Sequence, residues 1–320
     1  MSQRAADTRD IALLTVAAVA GTFLLAALPL VGVPLEAAAL ATLAYRFRQR
    51  TAWLVTIAAI AVVALVSWPT ALVVVAPILI AAGPLSARAL TMRPALAVAV
   101  FIGGVVLAVT GASLALEAAA TGKSLVAYVD GEMAAAIGGL VRGAAASGGA
   151  TGLDPVQLRS QMLMLLPGWF IVVSALSGVF GTVAIAWAGL RLGVATRRLP
   201  HLTELQVSTY AIVPISVGLA ALALGRFSGP PTSTALSVIG GNLLVVAIPL
   251  LTAQGLGILL FWLDRLSMPR WGRVAATVGA FVVEPILPVM TLAGLMDTWL
   301  NFRRLPRDSE TEAPADERRY

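Results

Sequence analysis

The chain has 320 residues, 59% of them hydrophobic and only 12% charged, with a formal net charge of +6 and a mean hydropathy of +0.91. A soluble domain is about half apolar and roughly a quarter charged, so this composition excludes a water-exposed globule and, by its apolar richness, intrinsic disorder. Cysteine is absent and His201 is the single histidine, which excludes disulfides, thiolate chemistry and multi-histidine metal sites, and no cofactor is indicated.

The apolar residues form long continuous runs rather than the in–out alternation of a β-barrel. In chain order the runs fall at 11–29, 33–45, 51–67, 69–87, 95–116, 163–190, 206–224, 234–263 and 274–298. The expected fold is therefore all-α, a polytopic transmembrane bundle of eight or nine helices in one membrane domain over 1–305. The first run follows Arg4 and Arg9 as a signal peptide would. It lacks an Ala-x-Ala cleavage site and exceeds a signal core in length, so a retained helix is expected. Glu36, two residues after Pro34, reads as an acid at the outer start of a helix, complementing the macrodipole, or as a cavity-lining group.

Charge orients the runs. Arg4 and Arg9, then Arg46, Arg48 and Arg50, then Arg88 and Arg93, then Arg191, Arg197 and Arg198, then Arg265, Arg270 and Arg273 occupy every second connection. Those places hold thirteen basic residues, against four in the intervening connections, which puts the amino terminus on the cytoplasmic side. The bacterial inner membrane is the expected location, with the lipid bilayer as partner and no nucleic acid.

The segment 117–160 is expected outside the membrane. Leu125, Val129, Met133, Ile137 and Val141 recur at every fourth position, the stripe of an amphipathic helix. The stretch 143–152 is Gly, Ala and Ser, the composition of a flexible connection. Asp154-Pro155-Val156-Gln157 then forms a helix-start signal, with a kink expected near Pro167-Gly168. The segment reads as a helix lying on the interface, or as a lid or partner-docking element.

The run 234–263 contains two amides, Asn242 and Gln254, read as interhelical hydrogen-bonding groups. Gln254, beside Gly255 and Gly257, also qualifies as a cavity lining. The last run is interrupted by Glu284-Pro285 and by Pro288. Glu284 lies eleven residues beyond Arg273, about 16 Å along a helix and so near the bilayer midplane, where an ionisable group is a candidate binding residue. The interruption allows two half-helices that return to the cytoplasmic side; alternatively one shorter run, such as 33–45, fails to span. Asp297 reads as a helix-end cap or an interface ion pair with Arg303 and Arg304. Residues 306–320 read as a disordered, charged cytoplasmic tail. The tryptophans fall near run ends, as interfacial anchors do.

The chain has no G-x-x-x-x-G-K-[ST], no H-E-x-x-H and no G-x-S-x-G motif, so neither a P-loop ATPase nor a hydrolase is expected. The run Gln254-Gly255-Leu256, the basic connection 265–273 and the ending Gly294-Leu295-Met296-Asp297-Thr298-Trp299-Leu300-Asn301-Phe302-Arg303 resemble the YybS-like family of uncharacterised bacterial multi-pass membrane proteins, a domain of unknown function. The motif residues of that resemblance are Gly294, Asp297, Trp299, Phe302 and Arg303, and it covers about residues 10–305. It implies a distant likeness to the S-components of energy-coupling-factor transporters, which have six helices with both ends inside, as residues 1–198 would, and to the rod-shape protein MreD.

Two functions are therefore expected. One is a small-solute binding or permease component without its own ATPase, with Glu284, Gln254, Glu36 and Asn242 lining the path and a separate ATPase module or another membrane protein as partner. The other is a structural or assembly protein of the membrane. An enzyme acting on lipid has no visible nucleophile–base pair to support it.

Overall fold

The structure, a computed structural model, describes residues 3–146, 154–196, 199, 201–207 and 212–304. All regular structure among these residues is helical, in two compact units, Met1–Leu199 and Pro200–Tyr320. The first holds α1 (Gln3–Ala27), α2 (Pro29–Arg46), α3 (Gln49–Val66), α4 (Trp68–Met92), α5 (Ala95–Ala120), α6 (Leu125–Ala146) and α7 (Pro155–Arg191). The second opens with a single 3-10 turn (Leu202–Glu204) and continues as α8 (Ile212–Phe227), α9 (Thr232–Arg265), α10 (Arg270–Val283) and α11 (Val289–Leu300). Arg197, Arg198, the connection 147–153 and the tail 306–320 lie outside the described residues.

Six helices, α1, α3, α4, α5, α7 and α9, are long and apolar enough to cross a bilayer. Their outward side chains, among them Leu54, Leu65, Leu96 and Trp187, are exposed, a surface that lipid covers. α2 differs. Glu36, Arg46 and two prolines lower its hydropathy, and it lies within the protein, packed against α1, α3, α4 and α7. Val33, Ala37, Leu40, Ala41 and Leu43 are fully buried along it.

Helix packing rests on glycines. A Cβ at Gly32 would meet the backbone of Leu25 across the α1–α2 seam, and one at Gly103 or Gly178 would strike the backbone of the other helix between α5 and α7. The second unit repeats this at Gly218 and Gly240, where α8 crosses α9, and at Gly255 and Gly294, where α9 meets α11. Association inside a bilayer relies on such close backbone approach, because lipid is as apolar as leucine. Buried hydroxyls satisfy themselves within their own helix: Thr22, Thr56 and Thr182 each donate to the carbonyl four residues back at 2.8–2.9 Å.

α4 is irregular. It contains two π-helical turns, Ala71–Val75 and Ala81–Leu85, and Gly83 leaves the helical region (φ −92°, ψ −107°) beside Pro84. The freed carbonyls are taken up by side chains: Tyr45 Oη donates to Ala87 O at 2.7 Å, Gln49 Nε2 to Pro84 O at 2.5 Å and Ser86 Oγ to Ala81 O at 2.5 Å.

Several local signals land where the residues place them. Asp154 caps α7, accepting from Val156 N at 2.9 Å with Pro155 in the first turn, and the helix continues through Pro167. The run 274–298 is broken at 284–288 into α10 and α11, of 14 and 12 residues. At about 21 and 18 Å these are each shorter than a bilayer core of about 30 Å. Two expectations change. Residues 143–146, expected in a flexible connection, belong to α6, because alanine favours helix. Glu36 is not at a helix start: Pro29 occupies the first turn of α2, so Glu36 lies seven residues in, about 10 Å along the helix.

Candidate functional site

In the second unit Gln254, Asp297 and Arg303 converge. α9 carries Gln254, which is fully buried, and Asp297 stands in the last turn of α11. The chain then turns through Asn301 in the left-handed region (φ 45°) and brings Arg303 back onto Asp297. Arg303 Nη2 donates to Asp297 Oδ2 at 2.8 Å, and Gln254 Nε2 donates to the same oxygen at 3.0 Å. The other carboxylate oxygen accepts from Phe302 N at 2.7 Å. An acid at a helix carboxy terminus opposes the macrodipole, and here a cation and two neutral donors offset that penalty.

The same arginine reaches further. Its Nη1 donates to Thr203 O at 2.8 Å and its Nη2 to Leu205 O at 2.7 Å, while Val207 N donates to Gln254 Oε1 at 3.2 Å. The segment 202–207, which opens with the 3-10 turn, is thereby tied to α9 and α11. Gly257 leaves room for it: a Cβ there would strike Leu202 O. Gly294 packs against Leu251 O, whereas Trp299 and Phe302 are exposed. The Asp297–Arg303 pair is thus buried within the unit, and its hydrogen bonds join α9, α11 and the segment 202–207.

Glu284 stands in the break between α10 and α11. It accepts from Met290 N at 2.8 Å, Thr291 N at 2.8 Å and Thr291 Oγ1 at 2.6 Å, and Thr252 of α9 bonds the same hydroxyl at 2.7 Å. A carboxylate on the free N–H groups of a helix start is a cap. Asn242 donates to Val238 O of its own helix at 2.7 Å. These arrangements occupy most of the binding capacity that the sequence suggested for this unit.

Glu36 of the first unit is the opposite case. It is fully buried, and neither carboxyl oxygen has a hydrogen-bond partner. Gly21 of α1 faces its Cγ, where a Cβ would come within 2.6 Å. Thr22 lies beside it, but that hydroxyl has given its proton to Ala18 O at 2.9 Å. Sequence alone missed Thr22, and also the tie of Arg303 to 202–207. Among the described residues no group of three or more His, Asp or Glu side chains is placed to hold a metal.

The segment after α5 is clasped at two points. Asp130 of α6 pairs with Arg159 of α7 through both guanidinium nitrogens that face it. The Tyr128 hydroxyl donates to Glu117 Oε2 at 2.6 Å, which pushes the phenol up to about 12. Leu114, Val129, Met133, Leu166 and Phe170, with Glu132 at the rim, line an open groove of about 280 Å³ between these helices.

Residues 12–298 match the family of predicted membrane proteins DUF2232, and the chain belongs to that family. No curated protein and no solved structure matches the chain.

Proposed function

We propose that the protein is a transport-related component of the bacterial cytoplasmic membrane that captures or passes a small solute and has no ATPase of its own. The observation that carries this reading is Glu36, an ionisable group wholly buried midway along a central helix with both oxygens unpartnered. Placing a carboxyl there is costly, and such groups mark solute and ion paths by default. Beside α2 runs α4, whose π turns and Gly83-Pro84 break are the kind of local irregularity found at functional sites. Five helices of the first unit, α1, α3, α4, α5 and α7, are long and apolar enough to cross a bilayer, and together with the 18-residue α2 packed against them they support the likeness to S-components that the YybS-like resemblance implies. The alternating arginines support a cytoplasmic amino terminus. Energy then comes from an ion gradient or from a separate ATPase partner, and the chain itself is not an enzyme.

A thermal-shift screen of the purified protein against metabolites and ions tests this reading. A ligand should stabilise the wild type and fail to stabilise Glu36→Gln. Silence across the screen, with a stoichiometric membrane partner crosslinked in its place, would overturn it. The structural or assembly reading draws support from the second unit, where Gln254, Asp297, Arg303 and Glu284 are spent on internal bonds, and from the open apolar groove beside α6. It predicts that deleting 120–150 abolishes that partner contact.

A further inference from the structure

The surroundings of Glu36 distinguish between the occupants a buried carboxyl could take. A metal cation needs several oxygen ligands; sites for hard cations gather about six. Glu36 has two oxygens, its neighbour Thr22 is committed to Ala18, and Gly21, which faces its Cγ, offers no side-chain oxygen. The α1–α2 seam is also closed, since Gly21 and Gly32 approach the other helix too tightly to admit even a methyl group. A proton needs neither ligands nor room. A protonated carboxyl also acquires a donor, and Thr22 Oγ, having donated its own hydrogen, keeps lone pairs to accept it.

No charge stands near enough to compensate an ionised Glu36. On α1 the described charged groups Asp7, Arg9 and Asp10 lie at least eleven residues before Gly21, about 16 Å along the helix. On α2 itself, Tyr45 is bonded to Ala87 O and Arg46 pairs with Asp10 at 2.8 Å. α3 offers Arg50, in its first turn. α4 offers Arg88, beyond the Gly83 contact with Leu40. On α7, Arg159 pairs with Asp130 and Arg191 stacks on Trp187 at the opposite end.

We propose that Glu36 is a proton-binding site: the closed seam between α1 and α2 holds its carboxyl as the neutral acid, and opening of the seam releases the proton to water. In that step the Glu36 O–H bond breaks, its electron pair stays on the carboxylate and water carries the proton away. Coupling of this release to movement of a solute rests on the transport reading above.

Infrared difference spectroscopy of the full chain in lipid nanodiscs, titrated from acid to alkaline pH in potassium and then in sodium buffer, tests the site. The expected result is a carbonyl stretch of an un-ionised acid that persists at neutral pH, disappears in Glu36→Gln and shifts in frequency in Thr22→Val. Gly32→Ala, which wedges α1 from α2 and admits water, should move the midpoint of that band toward acid. If Glu36→Gln does not fold, the Thr22→Val shift carries the assignment. A band unchanged in both variants, or no band at neutral pH, overturns the proposal. A band removed by sodium at constant pH overturns it in favour of a metal cation. Ligand stabilisation without the band leaves the solute reading standing and removes the proton; the band without ligand stabilisation does the reverse.

Discussion

Each unit buries a carboxyl on a helix, and the two are treated in opposite ways. Asp297 receives hydrogen bonds from Arg303, Gln254 and Phe302 N, and the arginine goes on to fasten 202–207. Glu36 receives none. A buried charge with a full set of donors contributes to a defined packing; a buried polar group with no partner is a standing cost. Such a cost is kept where the group has another task. The difference separates a carboxylate that builds the fold from one available for chemistry.

The contrast is sharpest if each acid is replaced by an apolar residue of similar size. Asp297→Leu strands Arg303 and Gln254 and should lower stability by about 3–5 kcal/mol, read as a loss of melting temperature in detergent. If that variant melts like the wild type, the network does not hold the second unit. Gly255→Ala attacks the same unit without touching a charge. Its Cβ would strike Met290 O, and a loss of about 1–3 kcal/mol is expected in the same assay.

Glu284→Ala removes the cap of α11, with an expected loss of about 1–2 kcal/mol. Hydrogen exchange should localise the effect to the Met290 and Thr291 amides; an effect spread over both units would contradict a local cap. The smallest change has the opposite sign. Glu36→Met removes an unpartnered group and should raise stability by up to about 1 kcal/mol while removing ligand stabilisation. A destabilised Glu36→Met would erase the distinction between the two acids.

The parts of this architecture written in neighbouring residues were legible. Asp154 and Pro155 announce the start of α7, and Glu284, Pro285 and Pro288 announce the break before α11, because caps and prolines act over one turn. The amphipathic stripe from Leu125 to Val141 likewise falls on α6. The site itself was less legible. Gln254 meets Asp297 across 43 residues, and Arg303 meets Thr203 across 100, pairings that no local pattern encodes. Pro34 suggests a helix start beside Glu36, whereas the helix begins at Pro29, and no local pattern separates an interfacial acid from a cavity-lining one. The helix of Glu36, α2, is packed against α1, α3, α4 and α7. A helix shielded by its neighbours can hold residues that lipid would reject.

The seam between α9 and α11 bears on how this chain can change over evolutionary time. At Gly255 and Gly294 an added Cβ would meet a backbone atom of the other helix, which no rotamer change can move aside. A side chain that fills a pocket can be exchanged for another of similar volume, whereas a backbone contact admits no substitute larger than hydrogen. Relatives that have lost every recognisable polar residue should still carry this pair of glycines, which makes their spacing a better search key than the carboxylates.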